Sequence, residues 1–207
     1  MVLEIVSITL SAFLSGVSIF IAIKAYRQGT KQIEISNKQS LFKERTKAFT
    51  LLNNLCEIYE NNKHMIKDSA EIPDFIFCFL TGNKLLEDTA EIMFKPLNSK
   101  EQNYFLCKME ELRDIALQIE LLWENEESKM ASSFISQYVE LLCNLYKQQV
   151  YVKKLEERKD FVDFKTKTKK MANDIGLDKA IRIIEDVYKK IKEKDVLNKL
   201  KEQIKLK

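Results

Sequence analysis

Residues 99–123 read SKEQNYFLCKMEELRDIALQIELLW and contain the clearest helical pattern of the chain. Ser99, followed three residues later by Gln102, has the form of a capping box, in which side chains pair with the first free backbone N–H groups of a helix. Apolar residues then recur at alternating spacings of four and three, which places them on one helix face: Phe105, Met109, Leu112, Ala116, Ile119 and Trp123. The stretch predicts a long amphipathic helix.

A second long helix is predicted directly after a polar turn at residues 124–127. Its apolar face is formed by Phe134, Tyr138, Leu141, Leu145, Val152 and Leu155. Because the connection is short, the two helices are expected to pack antiparallel. Beyond Leu155 the pattern changes phase, since Phe161 and Phe164 lie on the other side of the projected helix. This predicts a kink or a change of packing partner at residues 156–160.

Helical periodicity also dominates the rest of the chain, and strand signals are nearly absent. With only four glycines and two prolines, the sequence contains few breaks. The pattern predicts a long helix from Leu41 to Tyr59, after a potential joint at residues 29–30, and then two short helices at residues 75–80 and 84–94. A final amphipathic helix is expected from Leu177, with a joint at residues 192–195 and a loosely attached end. The predicted fold class is all-α, with long antiparallel helices.

An uncharged N-terminal run predicts a membrane span. Nineteen consecutive residues, Ile5 to Ile23, carry no charge and are bounded by Glu4 and Lys24. As a helix this run would rise about 28 Å, close to the ~30 Å hydrocarbon core of a bilayer. A cleavable signal peptide is the alternative, but it would begin with basic residues, and none precedes the run. We therefore expect an uncleaved N-terminal transmembrane helix that contacts the lipid bilayer through residues 5–23.

The charges that flank this run predict its orientation. Lys24, Arg27, Lys31 and Lys38 follow the run, whereas only Glu4 precedes it. Since basic residues near a span tend to stay in the cytoplasm, the expectation is a single-pass protein of the cell membrane with its N-terminus outside. The predicted organisation is a transmembrane anchor at 1–28, a cytoplasmic helical bundle at 29–172 and a basic amphipathic C-terminal segment at 173–207.

Small residues form a stripe along the predicted span. At 100° per residue, five positions fall within about 80° of one another: Ser7, Ser11, Ser15, Ser18 and Ala22. Such a stripe lets two helices approach closely and predicts association between spans. The alternative is that the serine hydroxyls bond to their own helix backbone.

Charge is unevenly distributed along the chain, whose net charge is +3. Residues 57–127 contain 7 Lys or Arg and 16 Asp or Glu, a net charge of −9, whereas residues 147–207 contain 19 and 11, a net charge of +8. Eight lysines of the basic part indicate a basic surface: Lys165, Lys167, Lys169, Lys170, Lys189, Lys190, Lys192 and Lys194. Such a surface can bind anionic lipid, which the predicted anchor favours, or nucleic acid. The alternative is a solvated helix face, because acidic residues are interspersed.

No motif for catalysis, cofactor binding or metal binding is found. The single histidine, His64, follows Glu60 by four residues, a spacing typical of a surface contact. A di-metal carboxylate bundle requires two Glu-x-x-His elements, and a HEPN-type ribonuclease requires an arginine shortly before its histidine; both are missing. Four single cysteines without a Cys-x-x-Cys pair are expected to be buried and reduced: Cys56, Cys78, Cys107 and Cys143. The sequence names no reaction and predicts no catalytic residue, cofactor or metal.

The N-terminal quarter resembles small single-pass bacterial membrane proteins of unknown function, some of the phage-defence or abortive-infection type. The resemblance rests on the uncharged run followed by residues 38–45, KQSLFKER, which open a long helix. It implies a bacterial setting and a membrane-tethered sensor, effector or partner-binding role, as a component of bacterial defence or immunity. Together with the stripe of small residues and the uneven charge, this predicts a membrane-anchored, non-enzymatic interaction module that binds a protein partner or a second copy of itself. The alternatives are a membrane-perturbing effector acting by self-association and a membrane-tethered nucleic-acid binder.

Overall fold

The structure, a computed structural model, describes the backbone of residues 2–159 and 161–204 and the side chains of residues 13–159 and 161–204. Within these residues all regular structure is helical, which confirms the prediction of an all-α chain. The α-helices are α1 (Val2–Asn62), α2 (Pro73–Leu80), α3 (Lys100–Trp123), α4 (Glu126–Glu157), α5 (Phe164–Asp174), α6 (Leu177–Glu193) and α7 (Val196–Glu202). Two 3₁₀ helices, Ile66–Asp68 and Glu87–Phe94, precede and follow α2.

The predicted N-terminal transmembrane helix is not supported by the structure. Among the residues whose side chains are described, no helix is both long and apolar enough to cross a bilayer. The described part of the uncharged run, Phe13 to Ile23, is eleven residues long. The helix then continues directly into Lys24 and Arg27. Residues 5–12 of the predicted span lie outside the described side chains.

Helix α1 also lacks the predicted joint at residues 29–30, because it continues without interruption from Val2 to Asn62. Gly29 is tolerated inside the helix, and the Thr30 hydroxyl donates a hydrogen bond of 3.0 Å to the carbonyl of Tyr26. The chain nevertheless divides into two compact units, and the division falls between Lys43 and Glu44. The first unit consists of the part of α1 up to Lys43, whereas the second contains the rest of α1 from Glu44, all later helices and the hydrophobic core.

The predictions for α3 and α4 are confirmed. The Ser99 hydroxyl accepts a hydrogen bond of 3.2 Å from the backbone N–H of Gln102, so the N-terminus of α3 is capped. All six predicted apolar residues of α3 and all six of α4 are buried. The two helices pack against each other through a two-residue turn, Glu124 and Asn125, and Asn125 caps α4 by accepting from the backbone N–H of Ser128 at 2.8 Å.

The C-terminal third differs in part from the prediction. Instead of kinking, α4 ends at Glu157, and a loop leads into α5, with Lys159 and Asp163 in left-handed backbone conformations. The break before α6 is confirmed at Gly176, whose φ of 79° suits glycine. The joint after α6 is confirmed at Asp195. Helix α7, however, is packed rather than loose, because its residues Val196 and Leu200 are fully buried; residues 205–207 of the predicted loose end lie outside the described residues.

The core is organised around aromatic side chains of α1, α4 and α6. The ring of Phe134 lies 5.8 Å from that of Tyr59 and 5.8 Å from that of Tyr188. Tyr138, fully buried, donates a hydrogen bond of 2.6 Å from its hydroxyl to the carbonyl of Leu80 at the end of α2. This bond satisfies one of the carbonyls that a helix C-terminus leaves without an intrahelical partner.

Arg45 joins α1 to the C-terminal end of α3. Its Nε and Nη2 donate to the carbonyl of Leu122 at 2.9 and 2.6 Å, and its Nη1 donates to the carbonyl of Gln203 at 3.2 Å. The guanidinium also lies over the ring of Trp123, 5.6 Å from the centroid. A cation is favoured at this end of α3, where unpaired carbonyls carry the negative end of the helix dipole.

We expect Arg45→Met to lower the free energy of unfolding by about 1–3 kcal/mol, because charged hydrogen bonds to carbonyls of two other segments are lost. The control is Lys43→Met, which removes an exposed positive charge two residues earlier in the same helix. Urea unfolding monitored by circular dichroism measures both. Equal stability of the two variants would contradict the role given to Arg45.

Tyr138→Phe should lower the free energy of unfolding by about 1–3 kcal/mol, because it leaves the buried carbonyl of Leu80 without its donor. Tyr104→Phe is the matched control, since the Tyr104 side chain is exposed. Urea unfolding again provides the measurement. A loss below about 0.5 kcal/mol for Tyr138→Phe would show that this carbonyl has another partner.

Candidate functional site

Large apolar side chains are exposed along the N-terminal unit of α1. Ten of them, each at least 40% exposed, occur between residues 13 and 35: Phe13, Leu14, Val17, Ile19, Phe20, Ile21, Ile23, Tyr26, Ile33 and Ile35. Single exposed apolar residues are ordinary, but a continuous set of this size on one helix marks an interaction surface.

Part of this surface follows a heptad pattern beyond the apolar run. Residues spaced alternately by four and three continue into the charged part of the helix and define what we call the seam: Ile19, Ile23, Tyr26, Thr30, Ile33 and Asn37. Its apolar members are 50–78% exposed. Ile35, 56% exposed, lies on the opposite side of the helix. The seam therefore presents one defined face over more than two heptads.

The small residues predicted to associate helices lie about 80° around the helix from the seam. Ser7 and Ser11 are outside the described side chains, whereas Ser15, Ser18 and Ala22 are exposed on α1. The hydroxyl of Ser18 donates a hydrogen bond of 2.8 Å to the carbonyl of Leu14 in its own helix. This bond to its own helix backbone is the alternative to helix association that the sequence leaves open for Ser18.

A pocket of about 400 Å³ lies in the second unit, between α1, α3 and the turn that follows α2. Its apolar wall consists of Ala48, Leu51, Leu85 and Ile115. Polar and charged residues surround this wall: Glu44, Lys47, Thr50, Asn54, Asn83, Lys84, Glu111 and Gln118. A volume of this size, an apolar wall and a few converging polar groups are typical of small-molecule sites.

The polar groups of this pocket differ between its two ends. Glu44 lies beside Gln118, Leu121 and Leu122, whereas Asn54, ten residues further along α1, lies about 15 Å away from it. Asn83 and Lys84 belong to the turn between α2 and the following 3₁₀ helix. The Glu44 end leads along Gln118 into a shallow groove lined by Leu121 and Leu122.

A second polar cluster joins α1 to α6 at the edge of the core. Lys63 Nζ lies 3.1 Å from both carboxylate oxygens of Glu60, and the ring of Tyr188 lies beneath Lys63 and Lys192, at 5.8 and 5.7 Å from the two ammonium groups. A hydrogen bond with Tyr188, followed by one with Lys63, lowers the pKa of Glu60. Burial raises the pKa of Tyr188, so its hydroxyl stays protonated and acts as a donor. The cluster fastens α6 to α1 and holds no activated nucleophile.

The eight lysines of the predicted basic surface lie on α5, on α6 and just after α6, and all except half-buried Lys167 are exposed. Lys165 forms an ion pair with Glu71 at 3.0 Å, and Lys192 joins the cluster at Tyr188. His64 is exposed, and no group of metal-binding side chains occurs among the described residues. Of the cysteines, Cys56 is buried, Cys78 and Cys143 are half-buried, and Cys107 is exposed, contrary to the expectation that all four are buried.

The pocket was not predicted from the sequence, because its residues come from three separate segments. Asn83 and Lys84 read only as the polar end of a turn, and Asn54 as a polar position on an amphipathic helix. The seam could have been found, since its four-and-three spacing is visible in the sequence beyond Ile23. The first residues of the seam, Ile19 and Ile23, lie within the uncharged run and therefore also fit the pattern of a membrane span.

Stability should fall as the pH rises above 9. Burial raises the pKa of Cys56 to about 12 and raises the pKa of Tyr59, Tyr138 and Tyr188 above their ordinary value of 10.0. In the unfolded chain these groups lose their protons near pH 9–10 while the folded chain keeps them, so the free energy of unfolding decreases with pH. Cys56 and Tyr138 should each contribute on the order of 1 kcal/mol per pH unit above those values.

Urea unfolding between pH 7 and 11 measures this dependence. Cys56→Ala should reduce the part of the decline that begins near pH 9 and leave the tyrosine part; the rest of the cysteine part comes from Cys78 and Cys143, whose pKa burial also raises. A free energy of unfolding that stays constant to pH 11 would contradict the burial of these groups.

Comparisons with known proteins give no match: no family model describes the chain, and neither a curated protein nor a solved structure is significantly similar to it.

Proposed function

We propose that the chain is a helical interaction module that assembles with a second copy of itself through the seam of α1. The observation that carries this proposal is the exposure of large apolar side chains along α1, of which the seam forms one continuous face. In this function the N-terminal unit of each chain forms the contact between two copies. The contact brings the second units of the two copies together.

The exposed area supports a partner for α1. Three aromatic residues, Phe13, Phe20 and Tyr26, are 69%, 68% and 78% exposed. With 150–250 Å² for a whole aromatic side chain, they together expose on the order of 400 Å², an area comparable with the largest apolar patch of a typical monomer. Tyr26 belongs to the seam, whereas Phe13 and Phe20 lie about 110° around the helix from it. An isolated helix gains little stability from its own backbone bonds, because most helical stability in proteins comes from packing.

The spacing of the seam favours another helix as that partner. A repeat of 3.5 residues keeps one face of a helix in contact with a second helix that winds around it. The seam also includes Thr30 and Asn37, polar residues that an acyl-chain environment would disfavour. A single buried asparagine in such a seam fixes the register of two paired helices.

The residues that flank the seam favour a second copy of the chain whose α1 runs parallel to the first. In a parallel pair, Arg27 and Glu34 face the small neutral residues Ala22 and Gly29 of the other copy, so no like charges oppose each other. An identical partner also presents Asn37 opposite Asn37, where the two amides can bond to each other. Lys24, Lys31 and Lys38 lie on the outer side of such a pair.

The proposal predicts that Ile33→Lys reduces self-association by at least about tenfold, because two charged groups would be buried in the paired seam. Ile35→Lys is the matched control: the same substitution at a residue of the same helix and similar exposure, but on the side away from the seam. Sedimentation of the full chain over a range of micromolar concentrations measures the monomer–dimer equilibrium of wild type and both variants.

A wild-type chain that sediments as a monomer throughout this range would overturn the proposal. An equal loss of self-association in Ile33→Lys and Ile35→Lys would also overturn it, because the total apolar surface of α1, and not the seam, would then drive association. If the full chain were found only as a monomer bound to phosphatidylcholine vesicles, the exposed surface of α1 would be assigned to lipid contact instead.

A further inference from the structure

The pocket between α1 and α3 contains an amide group whose bonding is incomplete. Asn83 Oδ1 accepts hydrogen bonds from the backbone N–H groups of Leu85 and Leu86 at 2.9 and 3.1 Å. These two bonds fix the orientation of the amide, because a flipped side chain would place two donors against two donors. Asn83 Nδ2 is consequently held in place, shielded from solvent, with no acceptor among the described residues.

The surroundings of this nitrogen favour an anionic acceptor. Asn54 and Lys84 line the same pocket as Asn83, which therefore contains amide and ammonium donors. Of the two carboxylates that line the pocket, Glu44 lies about 15 Å from Asn54, and Glu111 is paired with Lys108 at 2.7 Å. A carboxylate placed beside Asn83 would accept from its amide and be attracted by Lys84.

The rest of the pocket favours an apolar chain. Leu51, Leu85 and Ile115 line its middle, and the shallow groove along Leu121 and Leu122 continues it beyond Gln118. Along α3, residues 111–122 correspond to a length of about 16 Å. The pocket thus combines polar donors, an apolar wall and an adjoining apolar groove.

We propose that this pocket binds a linear carboxylate amphiphile, with its carboxylate at Asn83 and Lys84 and its hydrocarbon chain over Leu51 and Ile115 toward Leu121. Binding requires a small displacement of the side chains that now cover Asn83 Nδ2. The site is separate from the seam of α1 and does not depend on self-association.

The test uses decanoate, at concentrations below micelle formation, with the full chain and isothermal titration calorimetry. Wild type should bind one decanoate per chain in a saturable manner, and acetate should not bind. Asn83→Asp keeps an acceptor for the N–H groups of Leu85 and Leu86 but replaces the free donor by a negative oxygen. It should weaken decanoate binding by at least about tenfold and allow the cationic amphiphile decylamine to bind.

Asn53→Asp is the matched control, because it adds the same charge on α1 at a residue that does not line this pocket. It should leave decanoate binding within about twofold of wild type. Thr50→Trp, a substitution at an exposed residue on the edge of the pocket, should also abolish binding by filling the space. It serves as the test if Asn83→Asp fails to fold.

Absence of saturable decanoate binding to wild type would overturn the proposal. Binding that survives both Asn83→Asp and Thr50→Trp would assign it to the exposed apolar residues of α1 and also overturn it. Because neither variant alters the seam, unchanged sedimentation of both would separate a failure of this site from a failure of self-association.

Discussion

The structure of the second unit depends on the central position of one helix, which packs against most of the others. Helix α4 packs against α2, α3, α5, α6 and α7, and half of its 32 residues are buried. A helix surrounded in this way needs polar partners for the polar side chains that it buries. Gln148 provides an example, since its Nε2 donates to the carbonyls of Ala70 and Thr168 at 2.8 and 3.0 Å and so ties two other segments to α4.

Packing against α4 also explains why the short helices of the second unit stay attached to it. α2 has only eight residues and α7 only seven, too few to be stable as isolated helices. α2 is held by Tyr138 at its C-terminal carbonyl and by the stacking of Phe77 near Phe105. α7 is held by the burial of Val196 and Leu200 and by the ion pair of Lys199 with Glu127. An exposed ion pair adds little, so burial provides most of this attachment.

Local patterns in the sequence predicted α3 and α4 correctly because the signal and the structure share one cause. The face that starts at Phe105 is apolar because it is buried, and Ser99 ends the loop because it can cap the helix. The change of phase after Leu155 indicated a change near the point where α4 ends, at Glu157. The loop that follows was not predicted, because Lys159 and Asp163, neither a glycine, take left-handed conformations that no local pattern indicates. The uninterrupted helix at Gly29 was missed because one glycine lowers helix stability by only about 1 kcal/mol.

The two proposed binding sites differ in how the sequence encodes them. The seam of α1 is periodic and local, whereas the pocket is formed by residues such as Asn54, Asn83 and Ile115, which only the fold brings together. Charge distribution along the chain predicted neither of them, because both combine apolar side chains with a few fixed polar groups. Both proposed functions of this chain are therefore binding functions of its surfaces and do not involve a reactive centre.

Hydrogen exchange of the backbone amides of residues 19–37, measured on the full chain at several protein concentrations, tests the self-assembly of α1 most directly. The account predicts slow exchange at high concentration that becomes fast on dilution, because the helix is protected by a second copy and not by its own body. Exchange that is independent of concentration would contradict it.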